Sequence, residues 1–433
     1  MKFRSLMMAT ASLAMLAGVT GSVQAQNNRP ARPPEPAEKL RHLLYIAVPG
    51  DRGDDGQSGV IVLDADHDYN FIKRISYGLP ASMMPGPKIS GMTSSVPENK
   101  IYVTTDGGQM IAFDLATDKI SWIFKGEGKG DVVLQRPGSA KDGCCERPWT
   151  MPGGRQLLVA SSYNKWWWLV NAKTGKIEGR IDDPEAPRAH NVTVTADGKL
   201  AALASLSPAP NAKVAIVDIP SRKVLRYITF SDAPRPLTMN WDGSLIYVNV
   251  NNLDGFEIGD TKTGQMIKRV ELPGEMWKDK WANPNGHFFG HGLPSHGIGM
   301  TPDQSEIWVT DAANDAWQVW DNPGDGRNPV YNPAKTVKIQ PNVGSAWISM
   351  TNDGKTAYVG DGSVIDVRAH KVTHILKDEY GRPIHAVEKM LLMTFNEEGH
   401  LVETSNQFAM GDEAATKARI AREGTPGKQA NNQ

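Results

Sequence analysis

The chain has 433 residues, 47 Lys and Arg against 48 Asp and Glu, and a formal net charge of −1. Near-neutrality without a block of like charge excludes an electrostatic nucleic-acid or membrane-surface binder. The two cysteines, adjacent at Cys144 and Cys145, exclude a zinc-type ligand pattern.

Residues 1–25 read as a secretory signal peptide. Lys2 and Arg4 supply the positive start and Leu6 to Val19 a short apolar core. Val23 and Ala25 place small residues at the −3 and −1 positions, which predicts cleavage after Ala25. No cysteine follows the apolar core, which argues against a lipoprotein. No later stretch has the apolar length of a membrane span, so no membrane anchor is expected in the mature chain. The mature protein is expected to be periplasmic or secreted. Residues 26–38 (QNNRPARPPEPAE) form a proline-rich linker.

From residue 39 to about 410 the chain repeats. Each unit has a β run, a turn such as Thr-x-Asp-Gly, a second β run, an aliphatic run ending in Asp, and Thr-Gly-Lys or a variant. Clear copies start at His190, Arg235, His296 and Trp347, and degenerate ones at Ile89 and Arg147. The turn aspartates Asp197, Asp242, Asp303 and Asp353 are 45, 61 and 50 residues apart. Four short strands in roughly 40–50 residues is the spacing of a propeller blade. Six blades are thus complete. The N-terminal strands HLLYIAV, GVIVLDAD and FIKRISYG supply three strands of a seventh, and the C-terminal run EKMLLMTF supplies its first. The predicted fold is all-β: a seven-bladed β-propeller closed by N- and C-terminal strands in one blade, which removes exposed sheet edges. Residues 411–433 form a polar tail.

With His296-Gly297-Ile298, Thr301-Pro302-Asp303 and Ile307-Trp308-Val309-Thr310-Asp311, the chain resembles the YVTN-repeat family of seven-bladed propellers. The likeness covers most of residues 40–400. That family contains binders and enzymes, so it implies a fold more than an activity. Ala112 to Trp122 (AFDLATDKISW) also resembles the tryptophan docking motif of quinoprotein propellers, with Asp118 in place of a glycine. The adjacent cysteines are similar to the vicinal disulfide that stacks on the quinone in quinoprotein alcohol dehydrogenases. Chain length and blade count depart from that group, so pyrroloquinoline quinone is not expected. No Cys-x-x-Cys-His is present, which excludes covalent c-type haem.

In a propeller, the loops entering the innermost strands form the top mouth of the channel. Counting seven residues back from each turn places His190, Arg235 and His296 there, with Arg147 and Lys88 in the degenerate blades. Trp347 follows Ala346 in the sixth repeat, and His385 aligns poorly with the closing blade. Such a cationic ring would focus positive potential on a small anion. The bland alternative points these side chains outward to loop carboxylates such as Asp232 or Glu146. His287, His291 and His296 crowd one long loop. His190, His291 and His296 are candidate ligands for a divalent metal if that loop folds inward. Cys144 and Cys145, two residues before Arg147, would form a strained vicinal disulfide or remain thiols. Trp149 and Trp347 are candidate stacking residues near the mouth. Trp166, Trp167 and Trp168 read as interblade packing, and the sequon at Asn191 as coincidence.

Three functions compete. The first is an exported binder of a small anion or a protein partner at the mouth. The second is a periplasmic enzyme, a metal-assisted lyase or hydrolase as the YVTN resemblance implies. There His296 would be base or ligand, His190 its partner and Arg235 the oxyanion stabiliser. A quinone-dependent oxidoreductase is its lesser variant. The third is a scaffold that recruits proteins through blade edges or top loops.

Overall fold

The structure, a computed structural model, describes residues 39–48, 59–76, 89–105, 108–126, 144–162, 164–186, 188–272, 294–340, 347–384 and 389–405. Its strands fall into seven antiparallel sheets. Blade 1 opens with β1 (Arg41–Val48), β2 (Gly59–Asp64) and β3 (Asn70–Ile75). Blade 2 holds β4 (Ile89–Ser95), β5 (Lys100–Thr105), β6 (Gln109–Asp114) and β7 (Ile120–Phe124). Blade 3 holds β8 (Pro148–Thr150), β9 (Gln156–Ala160), β10 (Trp166–Asn171) and β11 (Ile177–Asp182). Blade 4 holds β12 (Ala189–Val194), β13 (Leu200–Ser205), β14 (Lys213–Asp218) and β15 (Lys223–Thr229). Blade 5 holds β16 (Pro234–Met239), β17 (Leu245–Val250), β18 (Gly255–Asp260) and β19 (Gln265–Glu271). Blade 6 holds β20 (Ile298–Met300), β21 (Glu306–Asp311), β22 (Ala316–Asp321) and an outer strand split into β23 (Val330–Tyr331) and β24 (Val337–Lys338). Blade 7 holds β25 (Ile348–Met350), β26 (Thr356–Val359), β27 (Ser363–Asp366) and β28 (Lys371–Ile375).

The chain then returns to blade 1 through β29 (Lys389–Phe395) and β30 (Leu401–Thr404), in the order β3-β2-β1-β29-β30. Leu43 faces Met393 and Tyr45 faces Leu391 across the joint. The strands β4, β8, β12, β16, β20, β25 and β29, one from each blade, touch in succession, and β29 touches β4. The ring is closed, with seven blades. The pairing of β30 on the inner side of β29 was not anticipated from the sequence.

The sequence explains the layering. Middle strands are apolar on both faces because each blade is covered by two neighbours. Val214, Ala215, Ile216 and Val217 of β14 are all buried. Outer strands such as β15 and β19 alternate toward solvent. The Thr-x-Asp-Gly turn is built by local hydrogen bonds. Thr195 Oγ1 donates to Asp197 Oδ1 at 2.7 Å, which also accepts the Lys199 N–H at 3.0 Å. Gly198 takes φ +70°, a left-handed conformation suited to glycine. The same bond recurs at Thr301 and Asp303, at 2.7 Å.

The tryptophan motif joins blades. A Cβ on Gly175 of blade 3 would lie 2.8 Å from the Trp122 ring of blade 2, so the indole packs directly on that turn. Asp118 adopts the glycine's left-handed φ, at +56°. Lys73 of blade 1 pairs with it, Nζ to Oδ2 2.6 Å. Trp167 and Trp168 are buried in the cores around β10, as interblade packing requires.

Candidate functional site

The inner strands do not enter the ring as regular ladders. In β12, Ala189 faces Ser205 and Asn191 faces Ala204, so His190 is an added residue. In β16, Pro234 faces Val250 and Leu237 faces Val248, so Arg235 and Pro236 share the space opposite Asn249. Ahead of β8, the Glu146 N–H donates to Ala160 O at 3.0 Å while Pro148 faces Val159, which makes Arg147 the added residue. Ahead of β20, Ala312 N donates to Pro294 O and Thr310 N to Gly297 O, so Ser295 and His296 lie opposite Asp311. A bulge bends the strand and re-aims the side chain it carries. The same device in β4 falls on Ser90. The hairpin register equates Ser90 with His190. Lys88, two residues earlier, lies outside the described residues, as do His287, His291, Ala346 and His385.

These entries converge on the axis. Arg147, His190, Arg235, His296 and Trp347 are each at most 6% exposed. Arg147 of blade 3 sets its Cζ 3.6 Å from the centroid of the Trp347 ring in blade 7, a contact that crosses the channel. Lys389, the first residue of β29, brings Nζ within 4.2 Å of the same ring. The His296 ring meets Trp347 edge to face, with centroids 5.9 Å apart. The indole is thus the hub of a cation cluster. Arg147 and Lys389 both pack against its ring.

His190 Nδ1 lies 3.6 Å from Glu146 Oε2, an ion-pair contact that fits the bland alternative. The Arg235 guanidinium is lowered to about 10, first by burial and then by the charge of Arg147, with Arg188 adding to it. Glu146 and Asp232 oppose that shift without cancelling it. Burying like charges together is costly.

Cys144 and Cys145 are buried, and their sulfurs are in bonding contact. They pack in a cluster with Phe124 and Trp168. Ser90 Oγ donates to Cys145 O at 3.4 Å. The pair therefore anchors the segment that presents Glu146 and Arg147. Among the described residues no three His, Cys, Asp or Glu side chains are grouped to hold a metal. Trp149 lines a cavity at the opposite end of the channel, which corrects its expected place at the mouth. Asn191 is fully buried in β12, which fits the sequon being coincidental.

A second polar group lies beside His296, in the seam between blades 5 and 6. Ser295 Oγ donates to Asp254 Oδ1 at 3.0 Å and accepts the Gly255 N–H at 3.0 Å. Burial, and then the charge of Asp311, push the Asp254 carboxyl up to about 8. Asp311 is fully buried and accepts the amides of Asn314 and Gln318, each at 2.7 Å. Sequence reasoning missed this group and Lys389. A lysine opening the apolar run MLLM was the available signal for the latter. With this geometry in view, comparison with protein-family models gives no match, and comparison with curated proteins gives none either.

Proposed function

We propose that this chain is an exported YVTN-repeat propeller that binds a small anion at the axial mouth of its channel. One observation carries the reading: Arg147, Lys389 and His296, from blades 3, 1 and 6, meet on Trp347 of blade 7 with Arg235 buried nearby. Arg147 and Arg235 offer forked donors for carboxylate or phosphate oxygens. His190 and His296 add polar contacts, and Trp347 holds the cations in register. The low-dielectric surroundings strengthen each contact with the ligand.

Calorimetric titration of the mature protein with inorganic phosphate, sulfate, oxalate and citrate tests it. The expected result is binding by at least one anion, weakened about tenfold or more in Arg147→Gln and in Lys389→Met, a loss of about 1.4 kcal/mol or more. Unchanged affinity in both variants contradicts the reading. A mature N-terminus at Gln26, read by mass spectrometry from the periplasmic fraction, tests export.

A second reading has its own observation. Asp254 is a carboxylic acid held protonated near neutral pH by burial and the charge of Asp311, and it accepts a hydrogen bond from Ser295, the residue before His296. Such a pair suits proton transfer. On this reading the mouth is the active site of a lyase or hydrolase. His296 would act as base or metal ligand, His190 as its partner and Arg235 as oxyanion stabiliser. Turnover retained in His296→Ala would rule that reading out.

A further inference from the structure

The far end of the channel holds a cavity of different chemistry. It lies where the inner strands finish, at Thr150, Val194 and Thr195, away from the mouth where they begin. Its volume is about 400 Å³, within the range of small-molecule sites. None of its described lining residues is ionisable. Trp149, Trp241, Pro97 and Pro152 line it together with the hydroxyl residues Thr93, Ser94, Thr150, Thr195, Thr404 and Ser405.

Those hydroxyls are already organised. Thr93 Oγ1 and Thr150 Oγ1 are 2.8 Å apart, and Thr150 Oγ1 donates to Ser94 O at 2.7 Å. Ser94 Oγ and Thr404 Oγ1 are 2.7 Å apart, which ties β4 to β30. Asn352 Nδ2 donates to Glu403 Oε1 and Thr404 O. With Thr93, Ser94, Thr150 and Asn352 hydrogen-bonded inside the protein, their oxygens keep lone pairs for a donor that enters. A ligand that donates hydrogen bonds and offers an apolar face to indole and proline rings matches this lining, and no acidic or basic side chain of it is there to pair a charge. A pyranose has equatorial hydroxyl donors around its rim and C–H groups on its faces. A phosphate or carboxylate would lose its hydration here without gaining a cation.

We propose that this lower cavity binds an uncharged sugar, independently of the anion mouth. The experiment titrates the full mature protein with glucose, galactose, N-acetylglucosamine and maltose. Tryptophan fluorescence and saturation-transfer NMR follow binding. At least one sugar is expected to bind with a dissociation constant on the order of 1 mM. Trp241→Ala should weaken that sugar about tenfold or more. Ala196→Arg, placed at the half-buried rim of the cavity, should do the same without touching the core. Phosphate titration should be unchanged in both variants, which separates this site from the mouth. No response from any of the four sugars at about ten times that concentration overturns the proposal. So does binding that survives both variants, or a response to an uncharged tetrapeptide in place of every sugar.

Discussion

Replacing Arg235 by methionine keeps much of the stem's volume and removes its charge. In the folded protein the guanidinium pKa is lowered to about 10, first through burial and then through Arg147. At about 1.4 kcal/mol per pH unit, that depression corresponds to about 3 kcal/mol against folding. Arginine is protonated in both states at neutral pH, and the folded value is the lower one. The cost is therefore fully present at neutral pH and fades only as pH climbs above the folded value. Losing the guanidinium's own polar contacts offsets about half of the gain. Arg235→Met should thus be more stable than the native protein by about 1–2 kcal/mol, a few degrees in Tm. The same variant should lose the stabilisation that phosphate gives the native protein. Urea unfolding followed by tryptophan fluorescence, in phosphate-free buffer and with added phosphate, reads both effects. A variant less stable without phosphate, or equally stabilised by it, refutes the argument that this charge is kept for a ligand at a cost in stability.

Three further outcomes follow from packing and titration. Asp254→Asn retains an acceptor for Ser295 and abolishes a carboxyl whose folded pKa is raised to about 8. The unfolded carboxyl ionises near 4 while the folded one keeps its proton, so native stability should fall as pH rises between those values. The variant should match the native protein at about pH 4 and exceed it by about 1–3 kcal/mol at about pH 8 in urea unfolding; a pH-independent difference contradicts this. Gly91→Ala would set a Cβ 2.6 Å from Pro148 Cδ and 3.0 Å from Arg147 Cα. It should cost about 1–3 kcal/mol and weaken phosphate binding through displacement of Arg147, and calorimetry showing native affinity would contradict that coupling. Leu391→Ala, in the joint between the chain's ends, should cost about 2–4 kcal/mol. The exposed Leu225→Ala should cost under about 0.5 kcal/mol, and equal urea midpoints for the two would contradict the closure.

The ring was legible because its turns have local chemistry. A turn of the Thr-x-Asp-Gly type closes on its own hydrogen bonds, so its period survives in the sequence and locates the inner-strand entries at His190 and His296, with Asp242 marking Arg235 in the same way. The closing blade was legible from unmatched strands at the two ends. Lys389 was missed because β29 turns into β30 rather than into a Thr-x-Asp-Gly hairpin, so no landmark set the count. Ser90 was displaced by two residues because Ser95 to Lys100 closes the β4 hairpin without an aspartate. Trp149 lies only two residues from Arg147, yet an extended strand carries it toward the other end of the channel. Asp254 and Asp311 meet across a blade seam, and Trp347 meets Arg147 across the axis. Neither encounter leaves a period in the sequence.

Anomalous diffraction from crystals soaked in tungstate, a heavy analogue of phosphate, locates an anion bound by the propeller. A peak is expected at the axial mouth, within hydrogen-bond reach of Arg147, Arg235 or Lys389, and should disappear in Arg235→Met. Peaks confined to the outer surface, with the mouth empty in the native protein, would contradict that expectation.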